Sequence, residues 1–211
     1  VIKFANVNGS GSASANQMFA KGVFRMGIPV SPKNIFPSNI QGLPTWFEVR
    51  VNEKGYLGRR EGIDIAVIMN PQSYNQDIKE LNSGGYLIYD SSWKRDFGRK
   101  DINVLGIPLT ELCVNEFSNP KQRLLFKNLG YVGVLASIFG MDKDIYIDLI
   151  NEQFKGKEKL IEPNVKALGI GYSYAEKNFK NLCDIKINKS NKTDGLILTS
   201  GNDAAGLGCV Y

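Results

Sequence analysis

The chain begins Val1-Ile-Lys-Phe-Ala-Asn-Val-Asn-Gly-Ser-Gly-Ser-Ala-Ser-Ala-Asn16, and this stretch decides the predicted fold. Residues 1–7 have the composition of a buried β-strand and residues 8–12 form a glycine-rich turn. The pattern Ser14-x-x-Gln17 is a capping box, which predicts a helix running to about Met26. A strand, a glycine turn and a helix make up the opening unit of an α/β domain. In such domains ligands bind at the carboxyl ends of the strands, and helix N-termini favour anions.

Two nucleotide-binding motifs can be tested against this turn, and neither matches. A dinucleotide fingerprint needs G-x-G-x-x-G and a later carboxylate, but Ser14 follows the glycine pair and Ser31 and Lys33 follow the next predicted strand, 28–30. A Walker A loop needs Gly-Lys-Ser or Gly-Lys-Thr, whereas residues 12–14 are Ser-Ala-Ser. Two interpretations of the turn stay open: a tight connection without a ligand, and a turn that faces a phosphate or a cofactor.

Composition limits the functions that the chain can carry. Its 211 residues, 43% of them hydrophobic, are sufficient for one sizeable core. The net charge of +5 comes from small, scattered groups of basic residues without interleaved aromatic residues, so we expect a solvated surface and no nucleic-acid partner. No apolar run approaches the ~18 residues of a membrane span and no signal peptide is recognisable, so we expect no membrane partner and a cytoplasmic protein.

The residue types of many active sites are missing from the sequence. It contains no histidine, which removes the usual general base and the commonest metal ligand. Its three cysteines, Cys113, Cys183 and Cys209, are widely spaced and form no C-x-x-C motif. The sequence therefore predicts no catalytic residue and no metal site within this chain, and the unpaired thiols suit a reducing compartment.

The rest of the chain alternates strand-like and helix-like segments. Residues 45–51 and 56–59 are predicted to form an inserted β-hairpin around the turn 52–55. Residues 63–69, 86–89 and 102–107 have the apolar character of central parallel strands. Together with residues 1–7 they predict a three-layer α/β/α, Rossmann-like fold with a largely parallel sheet. Helices follow the sheet at 108–116, from Pro120, at 142–154 and at 158–179, after an earlier helix at 72–81.

Three further features of the sequence bear on function. The loop 31–44 has three prolines and several polar amides, so we consider it either a second functional loop or a packed connector. Asp90 ends a predicted strand, where aspartate caps the following turn more often than it serves in catalysis. Gly130, Gly133 and Ser137 form a small face on the helix from Pro120, which predicts close packing against a second helix.

The sequence changes character near its end. Residues 184–195 are polar, and residues 199–208 begin another helix that is too short to bury its apolar side chains. We expect an α/β domain over 1–179, a weakly anchored linker over 180–198, and the start of a second domain over 199–211.

Several of these segments resemble one enzyme family. The segments are the opening Val-Ile-Lys-Phe-Ala-x-x-x-Gly-x-Gly-Ser, Asn70-Pro71, Gly84-Gly85-x-Leu-Ile, Asn128-x-Gly130 and, most specifically, Gly201-Asn-Asp-Ala-Ala-Gly-Leu-Gly208. They resemble the α subunits of 2-oxoacid:ferredoxin (2-oxoacid:acceptor) oxidoreductases that carry a γ domain at the amino end. The resemblance covers the whole chain. It implies a γ domain, a linker and the first residues of the pyrimidine-side thiamine domain.

The resemblance also implies a chemistry, most of which belongs to other parts of such an enzyme. These enzymes oxidatively decarboxylate a 2-oxoacid with thiamine diphosphate, form acyl-CoA and pass electrons through iron–sulfur clusters to ferredoxin. The implied partners are a β subunit and the rest of the α chain, ferredoxin binding through other domains, and homo-oligomer formation stays open. No cofactor is expected on this chain alone. The positions expected to face coenzyme A or the active site are Asn8, Gly9, Ser10, Gly11, Ser12, Ser38, Asn39, Gln41, Gly42 and Asn70.

A hypothesis from a different class is a free-standing α/β protein that binds a phosphorylated small molecule at the turn around Ser10. The pattern at 201–208 favours the oxidoreductase.

Overall fold

A computed structural model describes residues 1–38, 42–58 and 60–211. The strands are β1 (Ile2–Val7), β2 (Val30–Ile35), β3 (Pro44–Val51), β4 (Ile63–Ile68), β5 (Leu81–Asp90) and β6 (Asn103–Ile107). The helices are α1 (Ser12–Arg25), α2 (Tyr74–Glu80), α3 (Leu109–Glu116), α4 (Pro120–Ile138), α5 (Lys143–Gln153), α6 (Ile161–Asn178) and α7 (Gly201–Gly208), with a 3₁₀ turn at Glu158–Leu160.

The strands form one mixed six-stranded sheet in the order β2-β3-β1-β4-β5-β6. Strands β1, β4, β5 and β6 run parallel to one another, with Ile2 opposite Ile65 and Tyr86 opposite Asn103. β3 runs antiparallel to β1, and β2 antiparallel to β3. The predicted α/β class and the largely parallel sheet are confirmed.

The predicted hairpin partner of β3 is wrong. β3 pairs with the preceding strand β2, with Val30 opposite Val51 and Ile35 opposite Trp46, while residues 56–58 form no strand. β2 contains Pro32, one of the three prolines that made residues 31–44 resemble a loop. Because β2 lies at the sheet edge, a residue without an N–H group is tolerated there. The predicted loop 31–44 is thus shortened to the connection between these two strands.

Helices cover the two faces of the sheet unequally. On one face the large core joins side chains of all six strands to α1, α3, α4, α5 and α6, with Phe4, Phe19 and Tyr131 fully buried. On the other face, a smaller cluster packs the short helix α2, through Tyr74 and Ile78, against β4 and β5. The three layers of the predicted fold are therefore present, one of them thin.

α1 begins two residues before the predicted capping box. Gly11 is the N-cap residue, in the left-handed conformation with φ of 76°, and no side chain caps the helix. Ser14 consequently lies inside the first turn, and the predicted Ser14-x-x-Gln17 cap is wrong. The helix ends at Arg25, and Gly27 follows two residues later with φ of 80°, the conformation expected to stop it.

The small face of α4 packs closely against α6, as predicted. A Cβ atom added to Gly133 would lie 2.0 Å from the carbonyl oxygen of Leu168, and one added to Gly171 would lie 1.8 Å from that of Gly130. Glycine is required at both positions because the two backbones come so close.

The segment 183–193 has no regular secondary structure, yet it lies against the domain. The amide groups of Ile187, Ser190 and Lys192 donate to the carbonyl oxygens of Phe139, Met26 and Gly27, and Cys183, Ile187 and Thr193 are buried. The expected weak anchoring is wrong for this segment, because its amides donate to the carbonyl groups that follow the last turns of α1 and α4. Leu196, Ile197 and Leu207 are exposed.

Candidate functional site

The glycine turn between β1 and α1 is the best-supported site feature. Gly9 and Gly11 have φ angles of 85° and 76°, a conformation that side-chain-bearing residues rarely adopt. Because Gly11 caps α1 without a side-chain acceptor, the first N–H groups of the helix have no partner within the helix. Such a terminus carries a partial positive charge, which favours an anion.

Three contacts fix the turn from different elements. The amide of Asn8 donates to Leu43 O across 2.9 Å, the amide of Ser10 donates to Val7 O across 3.2 Å, and Asn128 Nδ2 donates to Ser10 O across 2.9 Å. Leu125 also packs on Gly11, where an added Cβ would lie 2.5 Å from Leu125 Cδ2. The turn is thus held by Leu43, the residue before β3, and by α4 as well as by its own strand.

A buried polar chain lies beneath the turn. Asn16 Nδ2 donates to Asn6 Oδ1 across 3.2 Å, and the hydroxyl of Tyr131 donates to Asn16 Oδ1 across 2.7 Å. Burial raises the pKa of Tyr131, so its hydroxyl keeps its proton and remains a donor. These three side chains tie the end of β1 to α1 and α4.

A groove opens between the turn and the β2–β3 pair, with a volume of about 490 Å³. Its wall on the α1 side includes Asn8, Gly9, Gly11 and Ser12. The opposite wall comes from the facing ends of β2 and β3, through Asn34, Phe36, Thr45 and Trp46. Four of the five predicted turn residues therefore line one groove.

The remaining turn residue, Ser10, points away from solvent. It is only 7% exposed, and its Oγ has no hydrogen-bond partner among the described residues. Ser10 thus positions the turn through its backbone.

The predicted loop residues are only partly placed. Ser38 is exposed and Gly42 has φ of 81°; both belong to the β2–β3 connection, and the groove lining comes from the strand ends that flank it. Asn39 and Gln41 lie outside the described residues. Their expected contact with the active site stays a prediction.

Asn70 is separated from the other predicted residues. It follows β4 on the opposite side of β1 and lines a different cleft, of about 220 Å³, with Tyr74, Tyr89 and Trp93. Its Oδ1 accepts from the amide of Gln72 across 3.0 Å, which forms the turn after the strand. Of the predicted site residues that the structure describes, Asn70 thus lies apart from the others, although all follow strand ends on one side of the sheet.

Asp90 caps the turn that follows β5, which is the role the sequence favours over catalysis. Its carboxylate accepts from the amides of Ser92 and Thr110 at 3.2 and 3.3 Å, and from the Thr110 hydroxyl. Lys127 Nζ lies 3.5 Å from the same carboxylate. These contacts join the end of β5 to the start of α3.

Groups that could hold a metal are sparse. Across residues 1–38, 42–58 and 60–211, no group of three or more His, Cys, Asp or Glu side chains is arranged to bind a metal ion. The cysteines are free, and burial raises the pKa of Cys113 to about 11, so its thiol stays protonated at neutral pH. Among the described helices none has the length and apolar character needed to span a bilayer.

The side chains that support the turn were not identified from the sequence. Asn16, Asn128 and Tyr131 are polar residues on helices that carry several others, and Asn128 lies 118 positions from the Ser10 carbonyl that it contacts. The Asn128-x-Gly130 pattern was visible only as part of a resemblance.

Comparison with known proteins gives a consistent set of relatives. Residues 1–174 match the family described as pyruvate ferredoxin/flavodoxin oxidoreductase. The chain is 24% identical over 204 residues to the 2-oxoglutarate oxidoreductase subunit KorA of Mycobacterium tuberculosis, a match covering 83% of this chain and 31% of that protein. The chain spans only a quarter to about a third of its curated relatives, from 24% to 37% of their length.

Solved structures share the fold. The 2-oxoglutarate:ferredoxin oxidoreductase of Magnetococcus marinus, with 2-oxoglutarate, coenzyme A and succinyl-CoA bound, superposes with a TM-score of 0.87 at 22% identity, covering 99% of this chain and 36% of that one. The pyruvate oxidoreductase subunit PORC of Thermotoga maritima superposes with a TM-score of 0.66 at 20% identity, covering 82% of this chain and 94% of that one.

Proposed function

This chain belongs to the pyruvate ferredoxin/flavodoxin oxidoreductase family, and on that basis we propose that it supplies the γ domain of a 2-oxoacid:ferredoxin oxidoreductase. The complete enzyme would oxidise and decarboxylate a 2-oxoacid of the pyruvate or 2-oxoglutarate type and form acyl-CoA. Thiamine diphosphate would supply the carbanion chemistry, and iron–sulfur clusters would carry the electrons; both are assigned to other parts of the enzyme. Free thiols suit a cytoplasmic location for this assembly.

The observation that carries the proposal is the uncapped N-terminus of α1 facing an open groove. The turn is fixed in advance by Asn8, Ser10 and Asn128, so its backbone donors would bind an anion without reorganisation. Within the proposed enzyme the anion would be a phosphate of coenzyme A. A diphosphate or phosphate group accepts several hydrogen bonds at once, and the N–H groups of a helix N-terminus can donate them.

Exposed apolar side chains around the same sheet edge support a partner-facing role. Phe36 and Leu43 flank the β2–β3 connection, and Leu124 and Leu125 lie in the first turns of α4, with Leu125 beside Gly11. They are 39–65% exposed. We propose that the β subunit and the rest of the α chain cover this edge.

The domain organisation remains part of the proposal. The family match ends at residue 174, which is consistent with an α/β domain over 1–179. Residues 180–198 would then form a connection that is fastened to the domain surface, and residues 199–211 would begin the pyrimidine-side thiamine domain. The exposure of Leu196, Ile197 and Leu207 supports the presence of a covering domain.

The test uses the complete α chain assembled with its β partner. Acyl-CoA formation and reduction of an artificial electron acceptor are measured with pyruvate, 2-oxoglutarate, a branched-chain and an aryl 2-oxoacid. CoA-dependent turnover of at least one acid is expected. Lack of turnover with all four acids by an assembled, cofactor-loaded complex would contradict the assignment.

Ala13→Glu tests the role of the turn. Ala13 is exposed, lines the groove and lies in the first turn of α1, where a carboxylate stabilises a helix by about 0.3–1 kcal/mol. The Michaelis constant for coenzyme A should rise about fivefold or more, because like charges about 4 Å apart repel by about 1 kcal/mol even in water. The constant for the 2-oxoacid should stay near its wild-type value.

Two controls separate charge from position. Ala13→Gln adds a side chain of the same size without the charge, and Ser14→Glu adds the charge to an exposed residue of the same turn, outside the groove lining. Neither should reproduce the full effect. If Ala13→Glu and the wild type have the same Michaelis constant for coenzyme A, the turn is a tight connection without a ligand.

A further inference from the structure

A second cleft lies at the carboxyl end of β4 and β5, on the other side of β1 from the glycine groove, and we refer to it as the β4–β5 cleft. Its walls include Tyr74, Tyr89 and Trp93, and its volume is about 220 Å³. Phe97 supports the aromatic wall from behind, stacked on Tyr74 at 4.9 Å and edge-on to Tyr89 at 4.8 Å. The cleft is therefore a preformed aromatic surface.

Two buried polar groups of the β4–β5 cleft have no partner. Asn70 is fully buried, and its Nδ2 makes no hydrogen bond in the described part of the chain, while its Oδ1 is occupied by the amide of Gln72. The hydroxyl of Tyr74, a residue 8% exposed, is likewise without a partner. Leaving a buried donor unpaired costs about 1–3 kcal/mol, so two such groups in one cleft indicate a missing acceptor.

The charges at the cleft are positive. Arg95 lies over the Tyr74 ring, 4.7 Å from its centroid, and forms no ion pair within residues 1–38, 42–58 and 60–211. Lys127 also lines the cleft. The one carboxylate there, Asp90, is already engaged by Thr110, Ser92 and Lys127. Burial raises the pKa of Tyr74, which keeps the phenol neutral and able to donate.

We propose that the β4–β5 cleft binds a small carboxylate carrying an aromatic or branched apolar group. The apolar group would pack between Tyr74, Tyr89 and Trp93. On binding, Asn70 and Tyr74 would turn their buried Nδ2 and hydroxyl groups towards the cleft and donate to the carboxylate, which would also face the Arg95 guanidinium. The cleft is smaller than the ~300–1,000 Å³ of sites for drug-sized ligands, which favours a small ligand over a nucleotide. The proposal does not depend on the oxidoreductase assignment.

The probe is 3-phenylpropanoate, followed by NMR through the indole N–H resonances. The protein has two tryptophans, and the Trp93 signal is assigned as the one absent from Trp93→Phe. Trp46 lies on β3, where its indole N–H donates to Asp77, and its signal serves as an internal reference. We expect a saturable shift of the Trp93 signal alone. The neutral analogue 3-phenylpropanamide should bind about tenfold more weakly, since hydrogen bonds to a charged acceptor are the stronger ones.

Three variants test the named donors. Asn70→Asp keeps the oxygen that accepts from Gln72 but replaces the free amide donor with a second anionic oxygen, so binding should be lost. Tyr74→Phe removes only a hydroxyl that has no partner, so it should fold normally and bind several-fold more weakly. Arg95→Gln should weaken the acid but not the amide. Arg50→Gln, on β3, is the control and should bind as the wild type.

Each contrary result is informative. Equal affinity for acid and amide, or unchanged binding by Tyr74→Phe and Arg95→Gln, would overturn the proposal. Displacement of the probe by coenzyme A would assign the cleft to the coenzyme and would also overturn it.

Discussion

The hydroxyl of Tyr131 donates to Asn16 Oδ1 in the interior of the domain, where neither group has access to water. Tyr131→Phe would leave Asn16 Oδ1 unpaired beneath the glycine turn. We expect the free energy of unfolding to fall by about 1–3 kcal/mol, the cost of an unsatisfied buried polar group. Urea unfolding followed by circular dichroism measures it.

Tyr74→Phe is the matched control, because the Tyr74 hydroxyl is equally removed from solvent but has no partner among the residues that the structure describes. Its stability should match or exceed that of the wild type. A similar loss in both variants would show that the Asn16 hydrogen bond contributes little.

Asp101 gives a second prediction at the residue scale. The Arg99 guanidinium, hydrogen-bonded to this exposed carboxylate, lowers the pKa of Asp101 from 3.8 to about 2. A group with a lowered folded-state pKa stabilises the fold above its unfolded value, and that contribution is lost as the pH falls from about 4 towards 2. Carboxyl NMR titration should show the low value in the wild type.

Arg99→Gln should return the pKa of Asp101 towards 3.8. The same change also removes the donor to Ile78 O and Leu81 O, both at 2.7 Å, so the loop after β5 should loosen. If the pKa of Asp101 in this variant equals that in the wild type, Arg99 is not the cause of the lowered pKa.

At the scale of elements, the α4–α6 contact gives a paired test. Gly133→Ala would place a methyl group 2.0 Å from Leu168 O and 2.9 Å from Tyr172 N, which are backbone atoms that cannot move independently. Overpacking of this kind costs about 1–3 kcal/mol, so the unfolding free energy should fall by that amount despite the better helix propensity of alanine.

Gly169→Ala is the control on α6. An added Cβ there would meet only the flexible end of Lys143, 3.5 Å away. Alanine should therefore stabilise the protein by about 0.5–1 kcal/mol, the propensity difference between the two residues in a helix. Thermal unfolding of both variants checks the opposite signs, and destabilisation by both would contradict the close-packing argument.

The elements also show where sequence reasoning succeeds and fails. The parallel strands could be predicted from their apolar runs, and the close packing of α4 from its small face. The part of β2 after Val30 could not be predicted, because Pro32 is a loop signal and is tolerated in this strand only at the edge of the sheet. The start of α1 was displaced because Gly11 caps the helix by conformation, without the side-chain signal that Ser14 offered.

For the site, whether a residue could be predicted depends on how far along the sequence its partners lie. Glycines at 9 and 11 reveal the turn locally, since a turn of this type requires their conformation. The residues that support it, Asn16, Asn128 and Tyr131, come together only through tertiary packing, and each resembles an ordinary polar residue in its own helix. Asn70 was placed correctly at a strand end, but the strand order assigns it to the other side of β1.

At the scale of the whole molecule, the segment 183–193 fastens the carboxyl-terminal part of the chain to the domain. Ser190 N donates to Met26 O across 2.8 Å and Lys192 N donates to Gly27 O across 3.1 Å. The Thr193 hydroxyl donates to Phe24 O across 2.9 Å. We expect slow hydrogen exchange at the Ile187, Ser190 and Lys192 amides, and fast exchange at Ile197, which is 73% exposed.

Gly27→Ala should detach this segment. Gly27 follows α1 with φ of 80°, and an added Cβ would lie 1.7 Å from the carbonyl oxygen of Ser190. Gly140→Ala is matched to it, because Gly140 follows α4 with φ of 69° but its added Cβ would meet only Lys186 Cδ at 3.7 Å. Both variants pay about 1–2 kcal/mol for the left-handed conformation of alanine. Only Gly27→Ala must also displace residues 190–192, so exchange at Ser190 and Lys192 should accelerate more in that variant than global destabilisation explains. Equal acceleration in the two variants would mean that the segment is not held at the end of α1.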